Sequence, residues 1–288
     1  MAVWNLGSIN IDHVYQVPRL PAPGETLGAT GYSSGLGGKG GNQSVASARA
    51  GAPTRHIGAV GPEGRWARDL LSDYGVDVTH VRNADVASGH AIIYVDPAAE
   101  NVIVTFAGAN HTPDAANVAA ALQSARAGDI LLLQNETTAQ VEAARLARSR
   151  DVRVIYSAAP FQVASVQAVL PYVSILVMNA GEAEELRAAF GELPNREMIV
   201  TLGSKGAEWH VPGSDPLFMP AFKVSPVDTT GAGDCFIGTL AAALDLGLDR
   251  PAAMRRAVAA AAIQVTRPGA AQAMPAQAEV DAFLAARS

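Results

Sequence analysis

The residues with the clearest capacity for chemistry lie at positions 228–234, in the order Asp-Thr-Thr-Gly-Ala-Gly-Asp, just before an apolar helical pattern. Gly231 and Gly233 let successive backbone N–H groups face one way, and the helix adds the positive end of its dipole. With Ala232 between them, they predict an anion hole suited to a phosphate in a negatively charged transition state. Asp234 falls in the first helical turn, where an ionised carboxylate is favoured and could take a proton from an attacking hydroxyl group. A plain glycine turn with Asp234 as a capping acid is the structural alternative.

A second glycine-rich segment covers residues 35–42, in the order Gly-Leu-Gly-Gly-Lys-Gly-Gly-Asn. Its spacing matches a dinucleotide-binding fingerprint, but it follows a predicted strand of a small second sheet and not the first core strand. It is not a Walker A loop either, because serine stands at position 33 and Gly40 follows Lys39. The segment therefore predicts a backbone that approaches a ligand closely, with Lys39 as a cation. Asn42 could contact that ligand or cap a helix.

Polar residues follow several predicted strands directly, and ligands gather at the carboxyl ends of the strands in a parallel sheet. Carboxylates and amides can engage the vicinal hydroxyl groups of a ribose-like substrate as acceptors or donors. The candidates for this contact are Asn10, Asp12, Asn42 and Glu136. Each of them taken alone would also suit a turn.

Few other groups could bind a metal ion or act as a nucleophile. Asn179 and Glu182 lie three residues apart on one predicted helical turn and could hold the water shell of Mg²⁺, although helix capping by Asn179 explains the pair equally well. The single cysteine, Cys235, excludes a disulfide framework and a multi-cysteine metal site, and without a partner base we expect it to be a small buried residue. The six histidines show no paired metal-ligand spacing.

Composition excludes several classes of protein. Lys and Arg number 21 against 27 Asp and Glu, so the formal net charge is −6, and no basic cluster suits binding to nucleic acid. With 49% hydrophobic residues the chain can build a large core, which excludes intrinsic disorder. The first residues lack the positive region of a secretory signal, and the alanine-rich stretches are too short to span a membrane. We therefore expect a soluble cytoplasmic protein.

Short aliphatic or β-branched runs alternate with alanine-rich segments of helical period through most of the chain. The predicted strands are residues 3–6, 56–60, 130–133, 153–156, 174–177 and 198–202. The predicted helices are residues 42–50, 65–74, 139–148, 165–170, 182–190, 234–246, 251–265 and 277–286. This order predicts an α/β fold with three α/β/α layers around a mostly parallel central sheet.

Two regions break this alternation. Residues 10–36 are rich in Gly and Pro, and residues 89–107 contain two alternating runs around a turn, which is the pattern of a β-hairpin. Four short strands from these regions could form a second sheet that acts as a lid over a site, or they could form a pair of surface hairpins. Because no repeat or linker is present, we predict one domain, residues 1–288, with a β-sheet lid formed by segments 10–36 and 89–107.

With these motifs in place, the sequence resembles the ribokinase-like (PfkB-type) carbohydrate kinases over nearly its whole length. The motifs that carry the resemblance are residues 7–12, 23–26, 37–43, 100–103, 107–110, 201–206 and 228–234. The resemblance implies transfer of the γ-phosphate of ATP, with Mg²⁺, to the hydroxymethyl group of a sugar, with D-ribose as the first choice. It also implies a homodimer formed through the lid.

Matched position by position, the resemblance assigns roles to the candidate residues. Asp234 would be the general base, and Gly231, Ala232 and Gly233 would form the anion hole. The implied sugar-binding residues are Asn10, Asp12, Gly38, Lys39, Asn42 and Glu136. The implied nucleotide-binding residues are Asn179, Thr201, Gly203, Ser204 and Gly206, with Glu182 reaching Mg²⁺ through water. A monovalent cation, K⁺, would be held by Asp228, Thr230, Gln264, Arg267 and Gly269, several of them through backbone carbonyl groups.

The chain departs from the family pattern at several positions. The stretch 183–200 is short, residues 157–160 read Ser-Ala-Ala-Pro where Asn-Pro-Ala-Pro is usual, and Ala273 stands where a serine often helps to hold the cation. His90 lies on the lid strand that closes over the sugar, in place of an apolar or small residue, and leaves the choice of sugar open. The alternatives within the class are kinases of another pentose, deoxyribose, a ketohexose derivative or a nucleoside. From other classes, a nicotinamide-dependent oxidoreductase and a sugar-binding regulator without catalysis remain open.

Overall fold

A nine-stranded sheet lies at the centre of the computed structural model, which describes residues 1–98 and 100–287. In chain order, the strands of the described residues are β1 (Val3–Leu6), β2 (Asn10–Gln16), β3 (Gly31–Gly37), β4 (Thr54–Val60), β5 (Val76–Asn83), β6 (Gly89–Val95), β7 (Asn101–Phe106), β8 (Ile130–Gln134), β9 (Arg153–Ser157), β10 (Ile175–Asn179), β11 (Glu197–Thr201), β12 (Gly206–His210) and β13 (Leu217–Pro220). The central sheet has the order β13-β12-β11-β10-β9-β8-β1-β4-β5. Only the β11–β12 and β12–β13 pairs of this sheet are antiparallel, so the predicted mostly parallel sheet is confirmed.

Helices cover both faces of the central sheet. In chain order, the α-helices of the described residues are α1 (Lys39–Arg49), α2 (Arg65–Asp73), α3 (Ala115–Ala121), α4 (Gln140–Arg148), α5 (Val163–Val169), α6 (Ala180–Phe190), α7 (Ala232–Asp245), α8 (Arg250–Gln264) and α9 (Gln277–Ala285). Side chains alternate along each strand, so Leu131 and Leu133 of β8 pack with α3 to α6, whereas Ile130 and Leu132 pack with α7 and α8. The three-layer α/β/α prediction is confirmed. No helix in the described part of the chain is both long and apolar enough to cross a membrane.

Every strand and helix of the central layers that the sequence predicts is present, with ends that differ by a few residues. The inner strands are buried on both faces, which is why continuous aliphatic runs predict them. The prediction missed β5, β12, β13 and the short helix α3. The three missed strands lie at the two edges of the sheet, where partly exposed strands tolerate polar residues and carry a weaker pattern.

A separate four-stranded sheet has the order β3-β2-β6-β7. β2 pairs antiparallel with β3 and parallel with β6, and β6 pairs antiparallel with β7. The predicted small second sheet is confirmed, and the alternative of two separate hairpins is wrong, because β2 and β6 join the two regions. Ala99, within the predicted segment 89–107, and Ser288, within the predicted domain 1–288, lie outside the described residues.

The register of this small sheet gives it two distinct faces. Asp12 pairs with Ala91, so these two side chains lie on one face, which we call the inner face. His90 pairs with Ile11 on the opposite, outer face, where its ring lies 6.0 Å from that of His13. His90 therefore does not lie on the face of Asp12, and its influence on the choice of sugar stays a prediction.

Candidate active site

Asp234 lies in the first turn of α7, immediately after the glycine turn. Gly231 precedes the helix with φ +78°, a left-handed conformation that favours glycine. The side chain of Asp234 is 8% exposed, and both of its oxygens accept hydrogen bonds. Asn42 Nδ2 donates to Oδ2 at 3.0 Å, and Gln43 Nε2 donates to Oδ1 at 3.0 Å. α1 therefore orients the carboxylate that the sequence predicts as the base.

Burial raises the pKa of the Asp234 carboxyl above its ordinary value, although the positive charge of Lys39 and the two amide hydrogen bonds oppose the shift. The expectation of a carboxylate stabilised simply by a helix start is thus incomplete, because loss of solvation is the larger effect. A carboxylate with a raised pKa is a stronger base for a substrate hydroxyl group. The neighbouring Cys235 is buried, and burial raises the pKa of its thiol to about 12, which fits a small core residue and not a nucleophile.

The second glycine-rich segment lets the start of α1 pack against the turn between β1 and β2. Gly38 has φ +83° and directly precedes α1, and a Cβ atom at Gly40 would lie 2.4 Å from backbone atoms of Gly7 and Ser8. This close approach puts Lys39, the first residue of α1, at the site. Because α1 follows β3 of the small sheet and not β1, the segment lacks the strand context of a dinucleotide fingerprint.

Lys39 is a cation held among carboxylates. Burial lowers the pKa of its ammonium group, but three carboxylates outweigh burial and raise that pKa above its ordinary value. These carboxylates belong to Asp234, Glu136 and Glu182. The site therefore keeps a permanent positive charge between the predicted base and the predicted nucleotide side.

Asp12 projects from the inner face of the small sheet toward the same carboxylates. Burial, with the charges of Glu136 and Asp234, raises the pKa of the Asp12 carboxyl to about 7. A Cβ atom at Gly37 would lie 2.1 Å from a carboxylate oxygen of Asp12, so glycine at 37 leaves the space that this carboxylate fills. None of the hydrogen bonds among the described residues involves the Asp12 carboxylate, which leaves it free to accept from a ligand.

The other predicted sugar-binding residues surround Asp12. Asn10 Oδ1 accepts from Asn110 Nδ2 at 2.7 Å, which fixes the orientation of its amide. Glu136 Oε2 accepts from the Ser8 hydroxyl group and from the backbone N–H of Lys39, the latter at 3.1 Å. The predicted set thus comes together from β2, α1 and the loop after β8.

Asn42 makes a contact that the sequence did not predict and has one polar atom left over. Its Nδ2 donates to the predicted base, whereas its Oδ1 is buried with no hydrogen-bond partner among the described residues. A buried acceptor without a donor is destabilising. This orphaned oxygen is therefore suited to a hydroxyl group of a ligand, and helix capping is not the role of the side chain, because α1 begins at Lys39.

A cavity of about 180 Å³ joins the predicted catalytic and nucleotide residues. Its lining includes Lys39, Asn179, Glu182, Thr201, Gly231, Ala232, Gly233 and Asp234. Gly203, Ser204 and Gly206 lie in and after the short turn Gly203–Lys205, just beyond Thr201, and do not line the cavity. A wider depression of about 620 Å³ lies between α2 and β5, but it contains none of the predicted residues, so the smaller cavity is the candidate site.

Asn179 and Glu182 form a capping box at the start of α6. Asn179 Oδ1 accepts from the Glu182 N–H at 2.9 Å, and Glu182 Oε2 accepts from the Asn179 N–H at 2.8 Å. The structural alternative for this pair is thus present, while both side chains also line the cavity. No group of three His, Cys, Asp or Glu side chains that could hold a metal ion occurs in the described residues. Mg²⁺ would fit here only if phosphate and water oxygens completed its coordination shell. The protein would contact that shell through Oε1 of Glu182, the oxygen that the capping box does not use.

The predicted cation residues meet between the glycine turn and the segment after α8. Asp228 Oδ1 accepts from the Thr230 N–H at 2.9 Å, and its Oδ2 accepts from the Gly269 N–H at 2.8 Å. The backbone carbonyls of Thr230 and Gly269 both accept from Gln264 Nε2, at 2.7 and 3.1 Å. A cation held by these two oxygens does not fit while the Gln264 amide lies there, and Arg267 directs its side chain to Glu279 instead.

A buried chain of amides, which was not predicted from the sequence, lies behind the base. Gln43 Oε1 accepts from Gln134 Nε2 at 2.8 Å, and the same nitrogen donates to Asn5 Oδ1 at 2.9 Å. Because Gln134 presents a donor, Gln43 must present its own Nε2 to Asp234. The signal in the sequence was an amide within each of two otherwise apolar strands, Asn5 on β1 and Gln134 on β8.

The chain of hydrogen bonds continues to a buried histidine. Asn5 Nδ2 donates to Ser44 Oγ at 2.9 Å, and Ser44 Oγ lies 2.8 Å from His56 Nδ1. Burial lowers the pKa of His56 to about 4, so the ring is neutral, and its Nε2–H donates to the Gly7 carbonyl at 3.0 Å. Gln134 therefore donates into two branches: one runs through Gln43 to the base, and the other runs through Asn5, Ser44 and His56 to the Gly7 carbonyl.

The comparisons with known proteins agree with this geometry. The chain matches the pfkB family of carbohydrate kinases over residues 3–277. It is 35% identical over 298 residues to a ribokinase of Haemophilus influenzae, with 97% of each chain covered.

Solved structures give the same result. A ribokinase of Thermotoga maritima superposes with a TM-score of 0.88 at 33% identity, covering 99% of each chain. A ribokinase of Arabidopsis thaliana in complex with ribose and ATP gives a TM-score of 0.85 at 29% identity, again covering 99% of each chain.

Proposed function

Since the chain belongs to the pfkB family of carbohydrate kinases, we propose that it transfers the γ-phosphoryl group of ATP to the hydroxymethyl group of D-ribose, giving D-ribose 5-phosphate. One observation carries the proposal: a buried carboxylate, Asp234, lies at the mouth of a glycine turn in one cavity with a lysine cation. The oxidoreductase alternative has no support, because its fingerprint follows the wrong strand.

Asp234 acts as the general base. Its carboxylate accepts the proton of the sugar hydroxymethyl group. The oxygen of that hydroxymethyl group attacks the γ-phosphorus of ATP, in line with the oxygen that leaves with ADP. Such a base contributes about 10²–10⁴ of the rate, and the rest comes from positioning and from stabilisation of charge. The donors from Asn42 and Gln43 hold both carboxylate oxygens, so the base is oriented before the substrate arrives.

The negative charge that develops on the transferred group meets donors that are already in place. The backbone N–H groups of Gly231 and Gly233 form the anion hole at the positive end of α7, joined by that of Ala232, which donates to the Thr229 carbonyl at 3.2 Å until the phosphate binds. Lys39, which lines the same cavity, adds a positive charge. Bound Mg²⁺ would neutralise the charge of the β- and γ-phosphates. Glu182, with Asn179, lies where it would hold the water shell of that ion, and Thr201 with the turn 203–206 would contact the nucleotide.

The sugar lies under the inner face of the small sheet in this proposal. Ribose hydroxyl groups donate to Asp12, Glu136 and the orphaned Oδ1 of Asn42, while Asn10 and the backbone of Gly38 border the same space. The Asp12 carboxylate, Asn42 Oδ1 and the Oε1 atom of Glu136 have no donor among the described residues, so they suit a polyol, since each gains a hydrogen bond on binding. In this proposal the small sheet acts as a lid of a single kinase domain, and we expect the enzyme to work in the cytoplasm.

The outer face of the lid suits a second copy of the chain. β7 is exposed along its length, with Val104 at 58% and Phe106 at 53%, and Tyr32 of β3 on the same face at 58%. An apolar sheet face of this kind is typical of an interaction surface. We therefore expect a homodimer through the lid, measured by sedimentation velocity. Val104→Asp should give monomers, whereas Val86→Asp, at an exposed valine outside the lid, should not; a wild-type monomer at micromolar concentration would contradict the dimer.

The proposed activity is tested by a coupled assay of ADP release with Mg-ATP and a panel of pentoses, hexoses and nucleosides. We expect D-ribose to give the highest kcat/KM, and ³¹P NMR to show a phosphate monoester on C5. A second arm measures thermal stabilisation, which ATP or ADP with Mg²⁺ should produce and NAD should not. Binding of ribose without consumption of ATP would overturn the proposal in favour of a sugar-binding regulator.

A further inference from the structure

A buried amide lies between two backbone carbonyls beside the anion hole. Gln264, the last residue of α8, is 0% exposed. Its Nε2 donates to the carbonyl of Thr230 at 2.7 Å and to that of Gly269 at 3.1 Å, while its Oε1 has no partner among the described residues. Two carbonyl oxygens therefore converge on a single atom that carries a partial positive charge.

The orientation of this amide is fixed by its surroundings. If the amide of Gln264 were turned over, its oxygen would face the two carbonyl oxygens, and three acceptors would meet with no donor between them. With no cation between the two oxygens, only the NH₂ group can satisfy both carbonyls. This orientation leaves Oε1 buried without a hydrogen-bond partner. The two carbonyl groups, and not a partner for Oε1, therefore determine how the amide is oriented.

The amide completes a cross-link between two loops. On the N–H side, the Asp228 carboxylate accepts from Thr230 and from Gly269. On the carbonyl side, Gln264 donates to the same two residues. Gly231 follows Thr230 directly and starts α7, so this double cross-link sets the position of the turn that forms the anion hole.

We propose that the Gln264 carboxamide takes the place of a monovalent cation between the Thr230 and Gly269 carbonyls, so that phosphoryl transfer does not depend on K⁺. The inference rests on the proposed kinase function. A cation bound by these two oxygens would have to occupy the position of Nε2. Several other groups of the predicted cation site have partners of their own: the Gln264 carbonyl accepts from the Arg267 N–H at 3.0 Å, and both Asp228 carboxylate oxygens accept from backbone N–H groups. Residue 273 is an alanine, which has no side-chain oxygen to offer.

The first test compares two salts of equal ionic strength, potassium chloride and tetramethylammonium chloride, in the ribose-dependent ADP assay with Mg²⁺ present. The wild-type enzyme should turn over at the same rate in both salts. Gln264→Ala removes the amide and opens space between the carbonyls, so we expect a loss of roughly 10²-fold in tetramethylammonium chloride, as for other small misplacements of catalytic groups. Potassium should restore most of that loss in the variant.

A matched control is available in α4. Gln140 is also buried, donates through Nε2 to a backbone carbonyl, that of Thr137 at 2.7 Å, and leaves its Oε1 without a partner. It lies outside the two loops of the cross-link. Gln140→Ala should therefore lose stability without becoming responsive to potassium.

A second readout does not depend on catalysis. The melting temperature of wild-type protein should be equal in the two salts, whereas that of Gln264→Ala should be higher in potassium chloride. A wild-type enzyme that is stimulated by K⁺, or whose melting temperature rises with K⁺, would overturn the inference, even if the alanine variant fails to fold. If the wild-type protein phosphorylates no sugar in either salt, the proposed function fails, and the melting comparison still decides between an amide and a cation at this position.

Discussion

Replacing Asp12 by asparagine should stabilise the free protein while it weakens sugar binding. The Asp12 carboxylate is buried and lies near the carboxylates of Glu136 and Asp234. It accepts no hydrogen bond within the described residues. An ionised group in such a place is unfavourable until a ligand provides donors. Asparagine keeps the shape of the side chain and removes the charge.

The magnitude follows from the shift of the pKa. The pKa of Asp12 rises from 3.8 to about 7 on folding, and a difference of roughly 3 units at about 1.4 kcal/mol each makes the ionised carboxylate about 4 kcal/mol unfavourable at pH 8. Because the folded protein keeps the proton up to about pH 7 and the unfolded chain loses it near pH 4, stability falls as the pH rises through this range. The advantage of asparagine should therefore be largest at pH 8 and almost absent at pH 4.

Differential scanning fluorimetry at pH 5 and at pH 8 measures this difference. At about 2–4 °C per kcal/mol, Asp12→Asn should melt about 8–16 °C above the wild type at pH 8 and closer to it at pH 5. Asp129→Asn is the matched control, because that buried carboxylate accepts from Ala2 N, Trp4 Nε1 and Arg126 N, so its loss should destabilise the protein. The ribose KM of Asp12→Asn should rise by about 10- to 100-fold, as expected for a lost hydrogen bond to a charged group. The reasoning is refuted if Asp12→Asn lowers the melting temperature at pH 8, or if its effect is the same at both pH values.

Two further predictions concern the neighbours of the reacting groups. Gly37→Ala should raise the ribose KM with little effect on folding, because the added Cβ would lie 2.1 Å from an Asp12 carboxylate oxygen and would displace that carboxylate. Gly35→Ala is the control, because a Cβ atom there meets open space. Equal KM values for the two variants in the ADP assay would contradict this prediction. Gln43→Leu removes a donor that lowers the pKa of Asp234, so the acidic limb of the pH profile of kcat/KM should move to higher pH, and an unchanged limb would show that the amide does not act on the base.

The parts of the site that could be predicted are those set by local sequence. The glycine turn at 231–233 and Asp234 belong to one segment, so backbone freedom and the helix dipole are enough to predict an anion hole beside a base. The amide chain could not be predicted in the same way, because Gln43 and Asp234 are 191 positions apart and Gln43 and Gln134 are 91 apart. Only the tertiary fold brings such amides into contact.

The fold shows the same division. The buried inner strands β1 and β8 could be read from continuous aliphatic runs, whereas the edge strands β5 and β13 were missed because partial exposure weakens their pattern. Pairing register was equally beyond local sequence. The alternating pattern of β6 shows that His90 lies on the opposite face from Ala91. Which of the two faces that is depends on the pairing of His90 with Ile11 of β2, a strand far away in the sequence.

The central claim is that Asp234 is the base for phosphoryl transfer to ribose, and the turnover of Asp234→Asn tests it most directly. Asparagine keeps the size of the side chain and two of its polar atoms but cannot accept the proton, so ribose-dependent release of ADP should fall by about 10²–10⁴-fold or more. Calorimetric titration with Mg-ADP should give a nucleotide affinity near that of the wild type, since the anion hole is built from backbone groups. A variant that binds nucleotide and still turns over within tenfold of the wild-type rate would contradict the account.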